Sequence, residues 1–389
     1  MEPEIQPPQT ELTPVESTAE AGLAPQPFAI APDPWETRAV KWVLLGSQGL
    51  RGGWSVALFV VLMVLIAGCV GFVFFKTHLI DPKAHFTVNS VFFGELMQFL
   101  GILGAAAIVA LVERRRGNLL AFNLMGPRRA THFFSGIAAG ILALSALVGT
   151  MAWGGWLNFG PAALTGAQIF KMGALWGGVF LLVGCVEEGM FRCYLQFTLT
   201  RSLNFWWALG ISALVCTFLL LTHKGNGAWG VYIMVLLGLA PCLWLHLKKA
   251  ESSGFWQAAW ITSTLFGFVH TGNNGENRIG IFAAGAIGFV FVVSIRVTGS
   301  AWWAIGCHAG WDWAETYFYG AIDSGNVATG HYLTTSPAGN PLWSGGNDGP
   351  EGSVLVLGVI VLLLVALVAI YGRGKAAALP APATELAAG

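Results

Sequence analysis

Ten stretches of this chain are apolar for about the twenty residues that a bilayer crossing needs. They fall near 54–75, 90–112, 133–153, 171–200, 205–222, 229–247, 255–271, 279–295, 300–320 and 353–372. Hydrocarbon offers backbone groups no hydrogen-bond partner, so a spanning segment must be a helix or part of a closed barrel. Runs of this length without strict two-residue alternation select the helix. The expected fold is therefore an all-α, polytopic membrane bundle of about ten transmembrane helices. Composition agrees: 55% of the 389 residues are hydrophobic and only 10% are charged, against roughly 25% charged in soluble domains. The formal net charge is zero, so there is no basic surplus to hold nucleic acid.

The rest of the chain is organised around these segments. Residues 1–50 read as a Pro-rich acidic tail and a cytoplasmic lead-in. Met1 to Trp35 holds eight prolines, five glutamates, one aspartate and no Lys or Arg, which is not the basic start of a signal peptide. Residues 51–160 are expected to form N-terminal transmembrane helices and 161–320 a separate transmembrane core. An external loop at 321–352 and a final helix with a short tail at 353–389 complete the division. With the N-terminus in the cytoplasm, fourteen Lys and Arg fall inside and five outside, as the positive-inside rule requires. An even number of spans then puts both termini in the cytoplasm of a cell (inner) membrane protein. The segment 321–352 has no Lys or Arg and suits an external loop. The basic loop Glu113–His132 is a topology signal that could also touch anionic lipid. Abundant glycine, 51 residues, favours close helix–helix contact.

Polar residues inside the apolar runs are the functional candidates. A charge at the bilayer centre costs about 2.5–3.5 kcal/mol on insertion scales, yet Glu187, Glu188 and Arg192 lie in one run. Glu188 and Arg192 are four apart and share a helix face, so they can pair. Glu187, about 100° round the helix, is left without its own cation. Desolvation and its neighbour's charge would raise its pKa and suit it to general-base work. His270 ends the run 255–271. His308 and Asp312, four apart, share another face, and Asp312 could hold the tautomer of His308. Glu315 either extends that polar face or reaches the interface. Thr271–Asn277 reads as a turn. His223 and His246 lie near helix ends, where snorkelling accounts for them. The six cysteines all lie in apolar segments without a CxxC pair and read as small buried hydrophobes. A base, two imidazoles and an orienting carboxylate on three helices are the inventory for activating water against a carbonyl, with or without a metal.

The pattern Glu187-Glu188-x-x-x-Arg192, Phe266-x-x-x-His270 and His308-x-x-x-Asp312 resembles the three motifs of the CPBP family. This is the ABI group of intramembrane proteases, related to the type II CAAX prenyl endopeptidase. The resemblance covers about residues 170–320. It implies an all-helical core whose cavity opens toward membrane and cytoplasm. It implies that Glu187 activates the attacking water, that His270 and His308 position that water or stabilise the oxyanion, and that Asp312 assists. Glu188 and Arg192 would shape the site. Asp312 stands where the prenyl endopeptidases typically have Asn, so prenyl-protein specificity is not carried over. The family is called metalloprotease. Glu187, His270 and His308 form a zinc-compatible set of two histidines and a carboxylate, without the HExxH spacing of soluble enzymes.

The expected activity is that of an intramembrane (metallo)endopeptidase acting on membrane-embedded or lipidated protein substrates, with the bilayer as its medium. Zinc or another divalent ion is the cofactor to test for. Two other classes fit the same inventory: a non-catalytic immunity or scaffold protein of the same fold, and a transporter using Glu187 and His308 as a proton relay. Transporters commonly show internal repeats, and none is evident here.

Overall fold

The computed structural model describes residues 35–46, 49–80, 86–113, 118–222, 228–249, 252–273 and 275–372. The acidic tail, the arginines at 114–116, His223, Lys224, Asn274 and the segment after 372 lie outside the described residues. The chain divides into two units, Met1–Val43 and Leu44–Gly389. The described part of the first is essentially helix α1 (Trp35–Leu44).

The second unit is a helical bundle. A small β1–β2 hairpin (Leu45–Gly46, Gly49–Leu50) leads into α2 (Gly52–Lys76). Helices α3 (Val88–Val112) and α4 (Arg129–Trp153) follow, then strand β3 (Leu157–Phe159). Next comes one rod made of α5 (Ala167–Glu188), a π-helical stretch (Gly189–Leu195) and α6 (Gln196–Ser202). Helices α7 (Phe205–Thr222), α8 (Ala228–Lys248), α9 (Ser253–Val269) and α10 (Arg278–Thr298) precede α11 (Trp302–Asp312), which also runs on as π-helix through Phe318. Strand β4 (Thr335–Pro337), the short α12 (Pro341–Ser344) and α13 (Leu355–Tyr371) complete the chain.

All ten apolar segments are thus helical. Among the described residues, five elements are long and apolar enough to cross a membrane: α2, α3, α4, the rod 167–202 and α10. Shorter apolar helices lie at Phe205–Leu214, Val235–Lys248 and Leu355–Tyr371. Apolar side chains such as Val64, Leu142 and Leu362 remain at least 60% exposed, which in a membrane protein is the surface that lipid covers.

The placement of α11 is set by glycines. A Cβ on Gly136 or Gly140 of α4 would fall 2.3 Å from the Trp303 carbonyl or 2.1 Å from that of Cys307. Reciprocally, a Cβ on Gly306 or Gly310 of α11 would meet the Phe133 or Ile137 carbonyl at 2.1 and 2.4 Å. Two Gly-x-x-x-Gly stripes therefore face each other, and only backbone fits between them. Around them the principal core gathers Leu144, Leu147, Met151, Phe291, Trp303 and Leu363.

The segment after α11 folds back on the bundle. Strand β4 pairs antiparallel with β3 through Leu157↔Pro337, Asn158↔Ser336 and Phe159↔Thr335. Asn277 explains the turn before α10. Its Oδ1 caps the helix by accepting from the Ile279 and Gly280 amides at 2.7 and 3.2 Å. Its Nδ2 donates to the carbonyls of Gly345 and Gly352 at 3.3 and 3.0 Å. The polar turn is thus a clamp on the 321–352 segment, a structural role.

Candidate active site

Three helices deliver the polar groups. The last turn of α5 carries Glu187 and Glu188, the last turn of α9 leads to His270, and α11 carries His308 and Asp312. Glu187, His270, His308 and Asp312 line one cavity of about 230 Å³. At about 30 Å³ per water, that is room for a hydrolytic water and a substrate side chain.

Glu188 and Arg192 sit behind the cavity wall, both fully buried, with Nε and Oε2 3.1 Å apart. The approach is an ion pair without hydrogen-bond alignment, and the two terminal guanidinium nitrogens have no hydrogen-bond partner. Aromatic faces take their place. The guanidinium carbon lies 4.1 Å from the centroid of Phe266, 5.4 Å from Phe291 and 5.6 Å from Phe191. In a desolvated setting cation–π attraction is at its strongest. Gly288 makes the room: a Cβ there would stand 2.4 Å from an Arg192 nitrogen. Phe266 also packs edge-on against His270, centroids 4.8 Å apart, so the aromatic of the second motif joins the buried cation to the cavity histidine.

The imidazole of His308 is held from both edges. Its Nδ1 donates to Glu188 Oε1 at 2.8 Å. Its Nε2 faces Asp312 Oδ2 at 3.5 Å and Glu187 Oε2 at 3.8 Å. The carboxylate that fixes the tautomer is therefore Glu188, where the sequence pointed to Asp312. Asp312 flanks the other ring nitrogen, Nε2, instead. The His270 ring hydrogen-bonds through Nδ1 to the Phe266 carbonyl at 2.8 Å. A carbonyl only accepts, so the proton is on Nδ1 and Nε2 is left bare. Glu187 is the accessible member, its side chain 32% exposed, and its Oε2 has no hydrogen-bond partner. Among the described residues no three His, Cys, Asp or Glu side chains gather in metal-binding geometry. The set Glu187, His270 and His308 does not converge on one ion position here.

Several groups went unread in the sequence. Glu95 of α3 lines the cavity, its Oε1 accepting from Gln98 Nε2 at 3.0 Å. It is a lone carboxylate in an apolar run, the same signal that singled out Glu187. Asp323 and Glu351 of the 321–352 segment also line the cavity. Nothing local in the sequence brings them there. Glu315 extends the polar stripe and is only 1% exposed, its Oε2 accepting from Trp311 Nε1 at 3.0 Å. Both motif helices turn π-helical directly after their carboxylates, at Gly189 and Trp313, a distortion frequent at functional sites.

The family model described as Type II CAAX prenyl endopeptidase Rce1-like matches residues 170–249 and 241–314. No curated protein and no solved structure matches the chain significantly. The matched residues contain all three motifs and bear out the CPBP resemblance. At the family level they imply a CAAX-type intramembrane protease. Over residues 170–314, then, the chain is similar to the Rce1-like members of the CPBP family of membrane proteins.

Proposed function

We propose that the chain is an intramembrane endopeptidase that hydrolyses peptide bonds of membrane-embedded or lipidated protein substrates with water activated by Glu187. The observation that carries this reading is the position of Glu187: a half-exposed carboxylate in the cavity wall whose buried Oε2 has no hydrogen-bond partner and lies 3.8 Å from an imidazole nitrogen. Glu187 takes a proton from water as the oxygen bonds to the scissile carbonyl carbon. The carbonyl electron pair moves onto oxygen, where His308, in the imidazolium form with an N–H on both nitrogens, donates to it from Nε2. Glu188 accepts from Nδ1 and keeps that ring in place. On collapse the C–N bond breaks and the proton held by Glu187 passes to the leaving amine. His270 Nε2 is a bare acceptor that can orient the water.

These steps use protein side chains alone, because the candidate ligands do not gather as a metal needs. A divalent ion remains a separate proposal on Glu187, His270 and His308, read by chelation followed by zinc re-addition. The proposed setting is a cell (inner) membrane with both termini cytoplasmic. The cavity is bounded by Asp323 and Glu351 of the 321–352 segment. If that segment is external, the cavity lies toward the outer side of the membrane, against the cytoplasmic opening that the resemblance implies.

The test is Glu187→Gln in the purified full chain, incubated with membrane-protein substrates and followed by mass spectrometry. Removing a general base typically costs about 10²–10⁴ in rate, while the amide keeps shape and hydrogen bonding. Cleavage should be lost and the melting temperature retained. Normal cleavage by Glu187→Gln would end the hydrolytic reading and leave an immunity or scaffold role.

A further inference from the structure

Two acids that face each other hold the 321–352 segment against the turn before α10. Glu276, in that turn, accepts through Oε1 from Asn273 Nδ2 at 3.2 Å and from Ser324 Oγ at 3.1 Å. Asp348, fully buried, accepts the Asn277 amide through Oδ2 at 3.0 Å. The remaining oxygens, Glu276 Oε2 and Asp348 Oδ1, are buried and have no donor. Both carboxyls fill the space over Gly280, where a Cβ would stand 2.2 Å from Asp348 Oδ2 and 2.6 Å from Glu276 Oε2. Gly352 closes on the same Asp348 oxygen, its Cβ position 2.6 Å away.

A carboxylate only accepts, whereas a carboxylic acid has one O–H to give. The side-chain hydrogen bond between Asp348 and Glu276 therefore needs a proton. With it the pair is joined. Without it two like charges meet out of water. The other charges acting on Asp348 are also acidic: Asp323 bears on it, and it bears in turn on Glu315 and Glu351. Arg278, the first residue of α10, is exposed. What the pair ties together is cavity wall. Asn273, Asp323, Ser324 and Glu351 all line the cavity. The turn that carries Asp348 runs between Gly345 and Gly349, at φ of +73° and +89°, a backbone that glycine adopts without strain.

We infer that Glu276 and Asp348 form a proton-operated latch: one proton between them keeps the 321–352 segment closed on the cavity, and its loss to water lets the segment lift and admit substrate. The latch rests on the endopeptidase reading for what it regulates, but not for its closing. Burial first, then the charge of Glu276, raises Asp348 from 3.8 to about 8 in the closed form. A carboxyl released into water returns toward about 4. The closed form keeps a proton that the open form gives up between those values. Closure is therefore complete in acid and weakens as pH rises toward 8.

The experiment is hydrogen–deuterium exchange of the full chain in phosphatidylcholine nanodiscs, read by mass spectrometry at pH 5.5 and pH 8. Each rate is divided by the intrinsic amide rate at that pH. Peptides covering 341–352 should exchange at least about tenfold faster at pH 8, while those of α4 and α11 keep their protection. Asp348→Asn is neutral at both pH values and should remove most of that rise. Glu276→Gln should reduce it, and is the variant to use if Asp348→Asn lowers the melting temperature. No rise in the unsubstituted protein, a rise shared equally by α4 and α11, or an undiminished rise in either folded variant overturns the inference. Cleavage of membrane-protein substrates is followed at the same two pH values. A pH-dependent exchange with no cleavage at either would remove the hydrolytic reading and leave the latch in place.

Discussion

Arg192→Ala should destabilise the protein more than any substitution in the cavity wall. The side chain is fully buried, and its Nε lies 3.1 Å from Glu188 Oε2. At that separation and an effective dielectric of about 20, Coulomb's law gives about 5 kcal/mol. Breaking a buried pair by removing one partner costs about 3–5 kcal/mol, because the other charge is left without compensation. Glu188 would keep only the His308 Nδ1–H at 2.8 Å. The three aromatic faces around the guanidinium would lose their cation as well. Arg192→Lys restores a charge but not a flat guanidinium that can stack on Phe266, so it should fall between wild type and alanine. The assay is the melting temperature of the detergent-solubilised protein, with yield from membranes as a second readout. A loss of several degrees is expected for alanine and less for lysine. An unchanged melting temperature for Arg192→Ala would refute the argument that this ion pair fixes the helix packing behind the site.

Three further outcomes are expected. Gly140→Ala puts a methyl 2.1 Å from the Cys307 carbonyl and should cost at least about 1–3 kcal/mol, whereas Gly149→Ala on the same helix meets nothing within 4 Å and should be neutral or stabilising. A pair of melting curves distinguishes them, and equal effects would show that the α4–α11 contact is looser than described. Burial and the charge of Glu276 raise Asp348 from 3.8 to about 8. A raised folded-state value means the folded chain binds the extra proton, so this contribution is present at acid pH and is lost as pH rises through about 8. The melting temperature should fall over that window in wild type and less in Asp348→Asn, with identical profiles counting against the assignment. Reporter fusions at Gly126 and Gly339 should report opposite faces of the membrane, Gly126 cytoplasmic. Both on one side would remove the topology, and Gly339 in the cytoplasm would return the cavity to that side.

The fold class was legible because hydrocarbon leaves few choices: ten apolar runs of span length can only be helices in a bundle. The Glu188–Arg192 pair was legible because i, i+4 geometry is local to one helix. Glu95 could have been read as a carboxylate within an apolar run. The contributions of Asp323 and Glu351 could not, because they depend on how β4 pairs with β3 and how Asn277 clamps the returning segment. The paired Gly-x-x-x-Gly stripes are visible in sequence at 136–140 and 306–310, but only tertiary structure says that they face each other. The π-helical stretches have no sequence signature in this chain.

The adjacency of the two glutamates follows from the shape of their partner. Residues at i and i+1 on an α-helix point about 100° apart and cannot lie on one face. A single functional group would normally be served from i and i+4. An imidazole, however, presents two nitrogens on different edges of one ring. His308, on a helix pressed against α5, turns Nδ1 to Glu188 at 2.8 Å and Nε2 toward Glu187 at 3.8 Å. Consecutive carboxylates diverge and so reach different nitrogens of the one ring. The buried one, anchored by Arg192, accepts from Nδ1, and the half-exposed one has its unpartnered Oε2 beside Nε2. The order of the motif therefore assigns the roles. The first glutamate is open to water, and the second, one turn before the arginine and on its face, is fully buried.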